Sequence, residues 1–116
     1  MTAIKAIVPA TPELLREFYG HEPGRSMRAF VGMLDGKPVA CFGVYYCDDK
    51  LVLFSDIRDE ARPFKKSLVQ GAFKVRDLMK ELNAPVYAVA GCVDGAVRLL
   101  ERMGFQRESD MFVWRG

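Results

Sequence analysis

The length, composition and charge of the chain argue against several classes of protein. Its 116 residues are 50% hydrophobic, which suits one domain over residues 1–116, and 17 Lys and Arg against 15 Asp and Glu leave a net charge of +2, too small to predict binding to nucleic acid or a membrane surface. No apolar run reaches the roughly 20 residues of a membrane helix. The chain has three cysteines without a Cys-x-x-Cys pair and one histidine, so we expect neither a disulfide framework nor a metal site. This use of cysteine predicts a cytoplasmic location.

The chain opens with the signals of a strand and a short helix. Ile4–Val8 alternates weakly and predicts the strand. Thr11 and Pro12 mark the helix start, because a threonine side chain can accept a bond from a first-turn amide and proline suits the first helical position. The apolar side of this helix consists of Leu14, Leu15 and Phe18. Gly20–Ser26 is a loop by composition.

Three strands joined by tight turns follow. Apolar residues alternate from Arg28 to Leu34, and Asp35–Gly36 is a strong hairpin signal, because glycine tolerates the positive φ that such turns need. Val39–Tyr46 is the return strand. After a turn at Cys47–Lys50, Leu51–Ile57 is the third strand. The pattern predicts an antiparallel meander.

The second half of the chain alternates helices with strands. Phe64–Leu82 is the longest predicted helix, and its apolar residues follow the helical period. They are Phe64, Leu68, Ala72, Val75, Met79 and Leu82. Asn83–Pro85 ends this helix, and Val86–Ala90 reads as a buried strand. The last strand, Met111–Trp114, is predicted to pair with Phe105–Arg107.

A second short helix is predicted between the strand Val86–Ala90 and the strand Phe105–Arg107, and the sequence marks both of its ends. Asp94 is the predicted N-cap, and Gly104 stands where helices commonly end in a left-handed residue. Phe105 follows as the apolar residue that packs back on the helix. The predicted apolar stripe is Val97, Leu100 and Met103.

The order β-α-β-β-β-α-β-α-β predicts an α+β fold with a central mixed sheet and helices on both faces. Together with the run from Asp94 to Phe105, it resembles the GCN5-related N-acetyltransferase (GNAT) family, in which an Ala-x-x-Leu-Tyr-x-x-x-Gly-Phe type of run occupies the same place. The resemblance implies binding of acetyl-coenzyme A and transfer of its acetyl group to an amine. One family helix is missing, because only the loop Gly20–Ser26 separates the first helix from the second strand.

The resemblance also implies where the coenzyme binds. A family loop of the type Gln/Arg-x-x-Gly-x-Gly/Ala, which holds the pyrophosphate, corresponds to Arg62–Ser67, but Lys65 replaces the central glycine and Pro63 removes an amide donor. The basic side chains could compensate as charges, or the segment is an ordinary helix start with solvated lysines. Backbone groups near Phe54–Ile57 would pair with the pantetheine arm. The implied cofactor-binding residues are Phe54, Ser55, Ile57, Arg62, Phe64, Lys65, Lys66, Ser67, Val93 and Leu100.

The catalytic groups that the family usually carries are absent. Leu100 occupies the position of its tyrosine acid, and Val93 that of its asparagine. Asp56, near the end of the third meander strand, is the candidate base, with a strand-end cap as the alternative. Tyr46 is the candidate hydroxyl, since adjacent tyrosines on a strand point to opposite faces.

Three interpretations of the function stay open. The first is an N-acetyltransferase acting on a small-molecule or peptide amine. The second is a GNAT-fold structural or binding module without catalysis, of the kind that tailed phages encode beside virion genes, located in the host cytoplasm or the virion. A nucleic-acid binder using Lys65, Lys66, Lys74 and Arg76 is the third and weakest, given the low net charge. An exposed sheet edge would favour a homodimer.

Overall fold

The computed structural model describes residues 6–22, 24, 26–89 and 96–116. In chain order the elements are β1 (Ala6–Pro9), α1 (Pro12–Tyr19), β2 (Met27–Leu34), β3 (Lys37–Cys47), β4 (Lys50–Ile57), α2 (Lys65–Leu82), β5 (Val86–Ala88), α3 (Ala96–Met103), β6 (Gln106–Glu108) and β7 (Met111–Trp114). A 3-10 turn at Asp59–Ala61 leads into α2. Within these ranges, every helix is too short or too polar to span a membrane.

The strands form one seven-stranded mixed sheet in the order β1-β2-β3-β4-β5-β7-β6. Strands β1 to β4 are antiparallel neighbours, as the predicted meander requires. Strand β5 is parallel to β4 and antiparallel to β7, and β6 pairs with β7 at the edge. The α+β fold with a mixed sheet is therefore confirmed.

The helices cover both faces of the sheet, as predicted. Alternation along β3 divides the core: Phe42 and Val44 belong to the larger cluster, which includes residues of α2 and α3, whereas Cys41 points to the other face. There Cys41 packs with Leu15 and Phe18 of α1. Because successive side chains of a strand point to opposite faces, one strand supports both layers.

Two glycines allow unusually close packing in the middle of the fold. A Cβ on Gly71 of α2 would lie 2.3 Å from the Phe42 ring of β3, so the missing side chain lets the helix rest on that ring. A Cβ on Gly43 would lie 2.2 Å from the backbone oxygen of Arg28 and 2.6 Å from Cα of Ala29, both on β2. Glycine is therefore required at both positions by space rather than by backbone angle.

The predicted turn and helix ends are confirmed where the structure describes them. Asp35 and Gly36 both adopt positive φ, 51° and 79°. Gly104 has φ 104°. The amide of Phe105 donates to the carbonyl of Leu100 at 3.0 Å, which is the bond of a Schellman motif that spans five residues. The predicted cap Asp94 and the strand ends Ile4 and Ala90 lie outside the described residues.

The predicted apolar stripe of α3 is wrong at its first residue. Val97 is 41% exposed, whereas Leu100 and Met103 are buried. A spacing of three residues rotates the stripe by about 60° at each step, because the helix turns by about 100° per residue. Leu99 packs against the core instead, next to the buried pair.

Thr11 caps α1, since its hydroxyl oxygen accepts a bond from the Leu14 amide at 3.2 Å. We expect Thr11→Ala to lower the free energy of unfolding by about 1 kcal/mol, because that amide loses its partner. Urea denaturation followed by circular dichroism measures the effect. Thr11→Ser keeps the hydroxyl and should retain most of the stability. An equal loss in both variants would mean that the threonine methyl matters rather than the cap.

Candidate functional site

The ladder between the parallel strands β4 and β5 is short. Their ladder contains only Leu51 opposite Val86 and Val52 opposite Tyr87, although β4 continues to Ile57. Within the described part of the chain, the β4 edge on this side has no strand partner from position 53 onward. Backbone N–H and C=O groups along such an edge need partners, so it can pair with an extended ligand that carries amides.

The free edge of β4 leads to the N-terminus of α2. Phe64 is the N-cap residue and provides no side-chain hydrogen bond, and the first turn contains no acidic residue. The first-turn amides, including those of Lys65 and Lys66, therefore lie at the positive end of the helix dipole. Both lysine side chains are exposed beside them. Amides, dipole and charges together favour an anion at this end of the helix.

Some of the predicted cofactor-binding residues lie along this path. Ser55 is exposed and Phe54 half-buried on β4. Ser67 is half-buried in the first turn of α2. Arg62 forms an ion pair with Asp59, Nε to Oδ1 at 3.0 Å, in which both side chains are exposed. Such a pair contributes at most about 1 kcal/mol, so Arg62 can be redirected to a ligand.

Other predicted cofactor-binding side chains point into the core. Leu100 is buried in the larger cluster, and Phe64 and Ile57 pack against it half-buried. For Phe64 and Ile57, only the backbone is left to meet a ligand. Val93, like the neighbouring Cys92, lies outside the described residues.

Asp56, the candidate base, is held by a residue that the sequence did not indicate. The Tyr19 hydroxyl, at the end of α1, donates to Oδ2 of Asp56 at 2.6 Å. Cys41 is the register partner of Asp56 across β3 and β4, and its side chain is buried. The bond between Tyr19 and Asp56 joins residues 37 positions apart, so no local periodicity in the sequence reveals it.

The protonation of this cluster follows from its surroundings. Burial and the hydrogen bond to Asp56 raise the pKa of Tyr19 well above its ordinary value, and burial raises the pKa of the Cys41 thiol to about 11. Both groups are therefore protonated at neutral pH. The Asp56 carboxylate, which accepts the Tyr19 proton, is exposed to solvent.

Tyr46, the second candidate, lies far from Asp56. It is 47% exposed and opposes Leu51 at one end of the β3–β4 ladder, whereas Asp56 opposes Cys41 near the other end. Side chains at alternate positions share a face, so Tyr46 is on the face covered by α2 and Asp56 on the face covered by α1. The structure does not bring these two side chains into one site. The adjacent Tyr45 packs on Phe54 with ring centroids 5.8 Å apart.

A cavity of about 400 Å³ lies at the opposite end of the sheet from the start of α2. It lies between β2 and the C-terminal half of α2, and charged residues of both signs line it. They are Arg28, Lys74, Asp77 and Glu81. Its position separates it from the free edge of β4, so we do not assign it to the candidate site.

Comparison with solved structures identifies a similar fold. The solution NMR structure of YhhK, a candidate N-acetyltransferase from E. coli determined with bound coenzyme A, matches with a TM-score of 0.51 at 11% sequence identity, over 96% of this chain and 98% of that chain. No family model matches the chain, and no curated protein matches it. The chain therefore has the GNAT-like fold that its order of elements predicted.

Proposed function

We propose that this chain binds acetyl-coenzyme A and is an N-acetyltransferase of the GNAT type, acting on an amine of a small molecule or peptide. The observation that carries the proposal is the β4 edge that has no strand partner from position 53 onward in the described part of the chain, followed along the chain by the N-terminus of α2, which has no side-chain cap. A free strand edge suits the amides of a pantetheine arm, and an adjacent helix N-terminus suits a pyrophosphate. That YhhK shares the fold and was solved with coenzyme A supports the same assignment.

The residues that would hold the coenzyme follow from this arrangement. The backbone from Phe54 to Ile57 would pair with the pantetheine arm. The amides and side-chain charges of Lys65 and Lys66 would meet the pyrophosphate, with Arg62 released from Asp59. Charge thereby replaces the close backbone approach that a glycine at position 65 would give.

In catalysis, acetyl-coenzyme A would supply the thioester carbonyl: the amine nitrogen would bond to its carbon, the C–S bond would break, and the departing thiolate would take the second proton that the nitrogen loses. The part of this chain is to bind, orient and accept a proton. Asp56 would take the proton of the acceptor ammonium through its exposed carboxylate oxygen, while Tyr19 holds the other oxygen. We do not carry Tyr46 into the mechanism, because it lies on the other face of the sheet.

Calorimetric titration of acetyl-coenzyme A into the native chain and into Arg62→Ala/Lys65→Ala/Lys66→Ala tests the proposal. We expect micromolar binding by the native chain and a loss of about 10- to 100-fold in the variant, if each cation contributes about 0.5–1 kcal/mol. Arg28→Ala/Lys37→Ala/Lys74→Ala removes the same charge from exposed positions elsewhere and should bind normally.

Absence of binding by the native chain at millimolar acetyl-coenzyme A would refute the proposal. An equal loss in both triple variants would show attraction by net charge alone, and it would refute the assignment of the pyrophosphate to the start of α2.

A further inference from the structure

Two arginines converge on one aromatic ring on the outer side of α2 and α3. The guanidinium of Arg76 lies 4.6 Å from the ring centroid of Phe73, and that of Arg102 lies 5.7 Å from the same centroid. Among the described residues, neither arginine forms an ion pair. The Nε atom of Arg76 is buried and has no hydrogen-bond partner. In the described part of the chain, the cluster thus has two cations without an ion pair and one unsatisfied donor, and the acidic Asp77 and Glu101 are the sequence neighbours of the two arginines.

The charges of α2 are segregated in a way that extends this cluster. Asp77 and Glu81 line the cavity beside β2. Arg76 and Lys80 lie about a third of a turn away on the helix, on the stripe that includes Phe73. On α3, Arg98 lies one turn before Arg102 on the same stripe and is exposed. Four cations therefore belong to this surface, although the whole chain has a net charge of only +2.

We propose that the cluster of Phe73, Arg76 and Arg102 is a binding site for a phosphate group. The side-on Nε and Nη donors of a guanidinium match two oxygens of a phosphate. The contacts with the Phe73 ring restrict both guanidinium groups before the ligand arrives, which reduces the entropy lost on binding. A dianion also offsets the mutual repulsion of the two cations.

This site is distinct from the proposed coenzyme site. Phe73 and Arg76 follow Lys65 by eight and eleven residues on one helix, which corresponds to about 12–16 Å along its axis. A pyrophosphate bound at the first turn of α2 would not reach the cluster. The two proposals can therefore fail independently.

The test is a titration of inorganic phosphate into the full chain, followed by the arginine Nε–H signals in nitrogen-15 NMR spectra at constant ionic strength. We expect the Arg76 and Arg102 signals to shift together and to saturate at millimolar phosphate. The signal of Arg107, which stacks alone on Phe112 at 6.0 Å, should not saturate. Sodium chloride at equal ionic strength should produce neither effect.

Two variants make the test decisive. Arg102→Gln changes an exposed side chain, so the fold should persist, and phosphate affinity at the Arg76 signal should fall at least about fivefold, since one charge-assisted contact is lost. Arg107→Gln is the matched control and should leave that affinity unchanged. Shifts that stay linear, that are equal for all arginines, or that survive Arg102→Gln would overturn the proposal.

Discussion

Replacing Gly43 by alanine is expected to destabilise the protein by about 3 kcal/mol or more, the upper part of the range for overpacking. The added Cβ would lie 2.2 Å from the carbonyl oxygen of Arg28 and 2.6 Å from Cα of Ala29. Both atoms belong to the backbone of β2, so no side-chain rotation relieves the clash. Strand β2 would have to move away from β3, which weakens one of the two longest ladders in the sheet.

Urea denaturation monitored by circular dichroism measures this loss, with Gly24→Ala as the matched control. A Cβ on Gly24 would meet no described atom within 4 Å. The control should therefore unfold close to the native midpoint. If Gly43→Ala unfolds there as well, β2 and β3 are farther apart in solution than the structure has them.

The protein is expected to lose stability as the pH rises above about 9. The pKa of Cys41 is raised to about 11 in the folded state, and that of Tyr19 is raised as well. A group whose folded pKa exceeds its unfolded pKa binds its proton more tightly when folded. Its contribution is complete below the unfolded pKa and is lost as the pH rises toward the folded pKa. For the buried thiol, that window is about pH 9 to 11 and the loss about 2 kcal/mol.

Denaturation midpoints at about pH 8 and pH 10.5 measure the loss. The decrease should be smaller in Cys41→Ala than in Cys47→Ala, because Cys47 is exposed. Tyrosinate absorbance gives a second readout. A phenol that ionises late should disappear in Tyr19→Phe and remain in Tyr46→Phe, which removes an exposed phenol from the other face. A stability that does not change over this range would contradict the raised pKa values.

Local signals in the sequence were sufficient for most of the fold. A cap depends on a few neighbouring residues, so Thr11 and Gly104 could be assigned from composition and spacing alone. The turn at Asp35–Gly36 is equally local. Val97 was misassigned because a spacing of three approximates, without matching, the period of the helix.

The candidate site was harder to predict because it depends on contacts across the fold. The bond from Tyr19 to Asp56 joins the end of α1 to the end of β4, and no local pattern in either segment indicates the other. The separation of Tyr46 from Asp56 follows from strand register, which determines both the face and the end of the ladder. The resemblance indicated the start of α2, but which side chains point into the core depended on the packing.

The contact between Gly71 and Phe42 has a consequence for the start of α2. A helix behaves as a rigid rod, and Gly71 lies six residues, or about 9 Å, from Lys65 along the axis. Bulk at position 71 would lift the rod from the sheet and tilt its first-turn amides away from the end of β4. The distance of those amides from the sheet is thus determined by packing in the hydrophobic core, at a position six residues from Lys65. Positions 42 and 71 should therefore change together among chains that keep this geometry, with a larger residue at one matched by a smaller one at the other.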